Sequence, residues 1–203
     1  MTPQVVVFDY GSGNLRSAAR ALERAGARAT VSGDLGPAAR ADGLVIPGVG
    51  AFAACMDSIR ASRVDRCIAE RVAAEAPVLG ICVGAQVFFE AGTEHGVRTE
   101  GLGLFRGEVT ALRAERVPHM GWNTVEANGM ELFDGLDAQE RFYFVHSYAA
   151  HGAVPDAQVA TCTYGEKFIA AIGRGTVSAT QFHPEKSGEA GLTLLSHWVR
   201  SLT

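Results

Sequence analysis

The 203 residues are enough for one α/β domain or at most two small ones, and a 47% hydrophobic fraction against 20% charged residues suits a well-buried globular core. A net charge of −4 gives no basic field that would argue for nucleic acid or an anionic membrane, and no apolar run nears the roughly 18 residues needed to span a bilayer. The N-terminus, Met1-Thr2-Pro3-Gln4, lacks the basic and apolar regions of a signal peptide, and none of Cys55, Cys67, Cys82 and Cys162 forms the Cys-x-x-Cys spacing of a zinc or redox pair, so the expectation is a cytoplasmic chain without metal or cofactor.

In chain order, Val5-Val6-Val7-Phe8 predicts a buried first strand, followed by the glycine-rich loop Asp9-Tyr10-Gly11-Ser12-Gly13-Asn14. Leu15, Ala18, Ala19, Leu22 and Ala25 then fall at helical spacing, with Asn14 as N-cap and Gly26 as C-terminal stop. Gly-x-Gly invites a nucleotide site, but without Gly-Lys-Ser/Thr the signal is weak, and the loop is expected at the carboxyl edge of a parallel sheet. A short strand near Ala29 to Val31 precedes the buried strand Gly43-Leu44-Val45-Ile46, which ends in Pro47-Gly48-Val49-Gly50-Ala51-Phe52. Its glycines let backbone N–H groups approach a ligand. Ala53 to Ala74 reads as helix broken near Ser62, with Cys55 and Cys67 as packing residues.

Pro77 opens the next strand, whose run Val78-Leu79-Gly80-Ile81 leads to Cys82, flanked by Gly80 and Gly84. Gly-x-Cys-x-Gly between a strand and a helix is the nucleophile-elbow pattern, with a strained turn exposing the thiol and glycines giving it room. The helix is expected to run to about Ala91, its positive end favouring the Cys82 thiolate. Thr93-Glu94-His95-Gly96 reads as loop.

The second half is richer in strands: Glu108 to Leu112, Asn123 to Glu126, Phe142 to Val145 leading into His146-Ser147-Tyr148, Val159 to Tyr164, Phe168 to Ile172 and Val177 to Phe182. Met130 to Leu136 predicts a short helix, Gly173-Arg174-Gly175 a hairpin turn, and Gly188 to Leu202 a final helix with Ser187 as N-cap. No repeat or linker interrupts the chain, so residues 1–203 are expected to form a single domain.

A lone cysteine in an apolar run is usually a core residue. Gln181-Phe182-His183-Pro184-Glu185-Lys186 changes that reading, because Glu185 can orient the His183 imidazole and His183 can take the Cys82 proton. His146 has no adjacent carboxylate and reads as a structural or pocket-wall residue.

Gly80-Ile81-Cys82-Val83-Gly84-Ala85-Gln86 with His183-Pro184-Glu185 resembles the class I (triad) glutamine amidotransferases. Tyr10 to Leu15, Pro47 to Phe52, Pro118-His119-Met120-Gly121-Trp122-Asn123 and Gln181 to Ser187 are similar to the glutaminase subunits of imidazole glycerol phosphate synthase. The family often has Leu and Met where this chain has Val83 and Ala85.

The resemblance implies an α/β three-layer sandwich, flavodoxin-like, with a central mostly parallel sheet flanked by helices and a smaller antiparallel β-rich portion. It implies hydrolysis of L-glutamine by a Cys82–His183–Glu185 triad, with oxyanion donors from the Val83 N–H and the Val49-Gly50 loop. Gly50, Gln86, His146, Ser147 and Tyr148 would hold the glutamine. The ammonia would pass to a (β/α)8-barrel cyclase subunit of imidazole glycerol phosphate synthase, in a heterodimer, with Asn14, Trp122 and Lys186 facing the partner. The barrel would make imidazole glycerol phosphate and aminoimidazole carboxamide ribotide. A glutaminase of another synthase, such as those for anthranilate or pyridoxal phosphate, would share the triad but lack the Pro118–Asn123 motif. A stand-alone cysteine hydrolase would need no partner, and a redox sensor would make no use of His183 and Glu185.

Overall fold

The computed structural model describes residues 1–202. The first half alternates strand and helix: β1 (Gln4–Phe8), α1 (Leu15–Arg24), β2 (Arg28–Ser32), α2 (Leu35–Arg40), β3 (Gly43–Gly48), α3 (Phe52–Ser62), α4 (Val64–Ala73), β4 (Val78–Cys82) and the single turn α5 (Val83–Gln86). The second half is mostly strand: β5 (Phe89–Glu94), β6 (Val97–Glu100), β7 (Phe105–Ala111), β8 (His119–Thr124), β9 (Arg141–His146), β10 (Tyr148–Ala150), β11 (Gln158–Tyr164), β12 (Glu166–Arg174) and β13 (Val177–Thr180), closed by α6 (Gly188–Arg200).

The main sheet has seven strands in the order β11-β12-β13-β4-β3-β1-β2. From β13 through β4, β3 and β1 to β2 every pairing is parallel, while β12 and β11 add antiparallel strands at one end. β3 and β4 are buried along their whole lengths, as strands covered on both faces must be, which is why they read as unbroken apolar runs. One helix group joins α1 and α6; another links α2 and α3 through α4. The smaller four-stranded sheet, β10-β7-β5-β6, is mixed rather than purely antiparallel, because β5 and β7 run parallel. β8 and β9 form a separate antiparallel pair.

Several local expectations hold for the reasons given. The α1 helix ends as a Schellman turn: Gly26 adopts φ 102°, its N–H donates to Glu23 O, and the Ala27 N–H donates to Leu22 O. The break between α3 and α4 falls at Arg63, in the left-handed region. The last hairpin is present but not at the expected Gly173-Arg174-Gly175: Gly173 and Arg174 pair with Ser178 and Val177, so the turn falls at Gly175-Thr176.

Other expectations fail because tertiary contacts claim the groups involved. The helix expected from Cys82 to Ala91 stops at Gln86. The carbonyls of Val87, Phe88, Phe89 and Glu90 accept from the N–H groups of Leu102, Phe105, Gly103 and Gly101, so they cannot serve a continuing helix. Residues 93–94 consequently lie in β5, and only His95-Gly96 is turn, with His95 exposed. The helix expected over Met130 to Leu136 is a 3-10 turn, Glu131–Phe133. Neither Asn14 nor Ser187 caps a helix with its side chain. The Ser187 hydroxyl instead donates to His183 O and accepts from Tyr143 N–H.

Two glycines decide how β4 meets β3. A Cβ on Gly84 would lie 1.9 Å from Ile46 O, and one on Gly80 would lie 2.7 Å from Gly84 O. Gly84→Ala is therefore expected to force β3 and the elbow apart and cost about 3 kcal/mol of stability, the upper part of the usual overpacking range. Denaturant titration, with the midpoint compared to wild type, measures it.

Candidate active site

The carboxyl ends of three neighbouring strands meet at one place, where sites in parallel sheets gather. β3 runs into the Pro47–Gly50 loop, β4 ends in Cys82, and β13 is followed by Gln181, Phe182 and His183. Cys82 is forced into φ 56°, ψ −115°, a conformation that costs a non-glycine residue about 1–3 kcal/mol and persists only when its surroundings impose it. The close packing of Gly80 and Gly84 is what imposes it here.

His183 is held by backbone and side chain alike. Its N–H donates to Tyr143 O at 2.9 Å, and its carbonyl accepts from Ser187 Oγ at 2.6 Å. Nδ1–H donates to Glu185 Oε1 at 2.8 Å, with both side chains at least 96% buried. That bond leaves Nε2 to deal with Cys82. Burial alone would lower the imidazole pKa, but the adjacent Cys82 sulfur and the Glu185 carboxylate outweigh it and raise the pKa to about 9. His183 is thus protonated at neutral pH. Since α5 is only one turn, this imidazolium, rather than a full helix dipole, is the cation available to a Cys82 thiolate.

Beside the pair lies a cavity of about 290 Å³. Its walls include Cys82, His183, Val49, Gly50, Val83, Gln86, His146, Ser147 and Tyr148, which the sequence had suggested separately, and Lys186 at its edge. Glu185 stands behind His183, next to a small void that Asn14 also borders. Trp122 does not line the cavity. It lies on β8, half exposed, with its ring edge-on to Tyr143. The larger hollow of about 630 Å³, between Met130, Arg174, His197 and Trp198, is lined by none of the residues singled out as catalytic from the sequence.

Two residues that sequence reasoning passed over belong here. Glu94, expected in a loop, lines the cavity while its carboxylate accepts the Phe52 N–H at the start of α3. Gln181, noted only as part of a motif, brings its Nε2 to 3.8 Å from Cys82 Sγ. Neither position carries a signal that local spacing could reveal.

A chain of side-chain amides and imidazoles leads away from Cys82. Gln181 Oε1 accepts from Gln86 Nε2 at 2.9 Å, and the same Nε2 donates to Tyr148 O at 2.9 Å. Tyr148 O also accepts from His146 Nδ1, His146 Nε2 accepts from His119 Nδ1 at 3.0 Å, and Asn123 Nδ2 reaches His119 Nε2 at 3.4 Å. Each imidazole carries one proton in this order. Burial pushes the His119 pKa down to about 4 and that of His146 to about 3, so both stay neutral at pH 7. His146 thus lines the cavity with both ring nitrogens already committed.

The profile of the family described as glutamine amidotransferase class-I matches residues 6–201. Relatives named imidazole glycerol phosphate synthase subunit HisH are 55% identical in Streptomyces avermitilis over 208 residues, covering 98% of this chain and 97% of the relative. In Mycobacterium bovis the relative is 58% identical over 201 residues, covering 98% of each. The chain belongs to the HisH family of class I glutamine amidotransferases. The fold is shared with a solved glutamine amidotransferase at a TM-score of 0.76 and 19% identity, covering 98% and 97% of the two chains. It is shared equally with PurLQS from Thermotoga maritima, at 0.74 and 20%, with both chains fully covered.

In this amidotransferase the Val49 N–H, one of the expected oxyanion donors, is already given to Ser12 Oγ at 3.1 Å. Ser12 and Cys55 also hold the Val49 carbonyl. The N–H groups of Val83 and Gly50 therefore remain the better-placed candidates, and the glycine-rich loop serves to brace the Pro47–Gly50 turn. Cys55 packs as expected but adds this bond. All four cysteines are free and buried.

The causes of the His183 shift make a direct expectation. With Cys82 replaced by Ala, two of the influences that raise its pKa vanish while burial remains. The His183 imidazole should titrate near 9 in wild type and distinctly lower in Cys82→Ala, as read from its ring-proton chemical shifts across a pH series.

Proposed function

We propose that this chain hydrolyses L-glutamine and hands the ammonia to the cyclase subunit of imidazole glycerol phosphate synthase, for histidine biosynthesis. The observation that carries the reading is the convergence of Cys82 and His183 from separate strand ends on one amino-acid-sized cavity, with Glu185 bonded to His183 from behind. The Pro118–Asn123 motif and the identity to HisH relatives select this synthase over others.

The Cys82 sulfur attacks the side-chain amide carbon of glutamine, forming a C–S bond and a tetrahedral oxyanion that accepts from backbone N–H groups of Val83 and Gly50. Removing one such donor in other hydrolases costs about 3 kcal/mol. The oxyanion collapses, the C–N bond breaks, and the His183 imidazolium protonates the departing ammonia. Neutral His183 then takes a proton from water, whose oxygen attacks the thioester. A second collapse releases glutamate and returns the thiolate. Glu185 keeps the imidazole aligned throughout. Gln86 commits both Nε2 protons to Tyr148 O and Gln181, so it offers glutamine its Oε1 as an acceptor. Glu94 supplies the negative charge suited to the α-ammonium group, and the Ser147-Tyr148 backbone suits the amino-acid end. The chain's own step is a hydrolysis; the lyase chemistry belongs to the cyclase.

The cyclase, a (β/α)8 barrel, is proposed to cover the cavity mouth. Ammonia entering bulk water would be protonated and lost, so the mouth needs a lid. Met120 and Trp122 stand two apart on one face of β8, 62% and 52% exposed, and Val49 is exposed beside the cavity. Lys186 sits at the cavity edge with its ammonium over the Tyr143 ring, and Asn14 is exposed near Glu185. A common core from Val5 to Val199 supports action as a single domain. Four unpaired cysteines fit the cytoplasm, and among the described residues no helix is long and apolar enough to cross a membrane.

In the assembled complex, Cys82→Ala should abolish product formation from glutamine and leave formation from added ammonium salt near wild type. Loss of both activities in an intact complex contradicts the division of labour. Trp122→Ala should weaken assembly by about 2 kcal/mol, the threshold of an aromatic anchor. Lys186→Ala should affect affinity less and the coupling of glutamate release to synthesis more. Titration of the cyclase into each variant, following glutamate and product together, separates the two effects.

A further inference from the structure

The orientation of the Gln181 amide is fixed by logic rather than by electron-rich neighbours of its own. Tyr148 O is a carbonyl and can only accept, so the Gln86 atom that meets it at 2.9 Å is the amide nitrogen. That nitrogen's second proton points to Gln181 at 2.9 Å, so the Gln181 atom there is the oxygen. The remaining Gln181 atom, 3.8 Å from Cys82 Sγ, is therefore an N–H donor. Gln181 is 5% exposed, and it is absent from the walls of the substrate cavity. It approaches the sulfur from the protein side, outside the walls of the cavity.

We propose that Gln181 is a further catalytic residue of this site: its Nε2–H hydrogen-bonds the Cys82 thiolate and favours the charged nucleophile over the thiol. The proposal rests on the glutaminase reading and deepens it. A donor to sulfur helps twice. It stabilises the thiolate before attack on the amide carbon, and again when the C–S bond of the thioester breaks and the electron pair returns to sulfur. Gln86, proposed above as a substrate contact, is on this view also the residue that turns Gln181 the right way round. The charged groups around Cys82 are His183, Glu185, Glu94 and Lys186, and the test leaves all of them in place.

The test compares Gln181→Met, which keeps the bulk but has no donor, with Gln181→Glu. In the latter, Gln86 engages one carboxylate oxygen and leaves the other against the sulfur, where it repels a thiolate. In the complex with the cyclase, kcat for glutamine hydrolysis should fall about tenfold in Gln181→Met, the weight of one hydrogen bond to a charged group, and further in Gln181→Glu, with KM within about twofold. At one fixed pH, the rate of Cys82 alkylation by iodoacetamide, read by peptide mapping, should fall in the same order. Wild-type affinity in a titration with the cyclase, together with a wild-type far-UV circular dichroism spectrum, confirms that each variant folds and assembles. Wild-type kcat and alkylation in Gln181→Met overturn the proposal, as does a loss confined to KM or one equal in the two variants. The alkylation rate reports on Cys82 whatever reaction the site performs, so failure of the glutaminase reading shows separately, as a wild-type complex that releases no glutamate.

Discussion

The site depends on one close approach: the backbone of Gly84 lies against the carbonyl of Ile46, with no room for a single carbon atom between them. That contact presses the turn after β4 onto the end of β3 and holds Cys82 in a conformation it would not adopt alone. Strain of this kind survives only in a surrounding that over-determines it. Here the surrounding is the most buried part of the sheet, β3 and β4 flanked by β1 and β13. Arg71 adds to it from beneath. Its buried guanidinium donates to the carbonyls of Ala38, Ala41 and Asp42, and also to Pro77 O at the entry to β4.

What could be read from the sequence was what local pattern determines. The buried strands, the elbow glycines and the His183-Pro184-Glu185 turn each carry their reason within a few residues. The α5 helix could not be read correctly, because its end is decided by amides at residues 101–105 that no local window contains. Asn14 and Ser187 looked like helix caps for the same reason. Their residue type suits a cap, but Ser187 finds a stronger task in bridging His183 O and Tyr143 N–H. Glu94 and Gln181 were invisible as site residues, since each reaches the site only through sheet pairing. The four-stranded sheet was legible as strands but not as mixed, because β7 pairs directly with β5 on the edge opposite β6.

The polar side chains buried around the cavity follow a single rule of donors and acceptors. Three carbonyls anchor the order: Tyr148 O for Gln86 and His146, and Thr163 O for Asn123, which also fixes that amide as a donor toward His119, while Val145 O lies 4.0 Å from Cys82 Sγ. Every imidazole and amide between them then has one arrangement that satisfies it. Burial lowers the pKa of His119 and His146, and the hydrogen-bond order acts in the same direction, since charging either would leave two donors facing each other. His119 is further fixed between the rings of Tyr164 and Phe144, at centroid distances of 4.0 and 4.8 Å. A network so fully committed contributes little flexibility and much definition of shape.

Strand β9 explains why the exposed motif of β8 and the catalytic turn belong to one construction. Backbone groups alternate sides along a strand. Trp122 lies opposite Tyr143 in the antiparallel pair, and the Trp122 ring meets the Tyr143 ring. The N–H and carbonyl of Tyr143 itself point the other way, to Ser187 Oγ and the His183 N–H. Two residues on, the Val145 carbonyl lies beside Cys82 Sγ. One edge of β9 therefore carries the strand with the half-exposed tryptophan, and the other holds His183 and lies beside Cys82. The distance between these two features is set by the width of a single β-strand, so neither can shift far without moving the other.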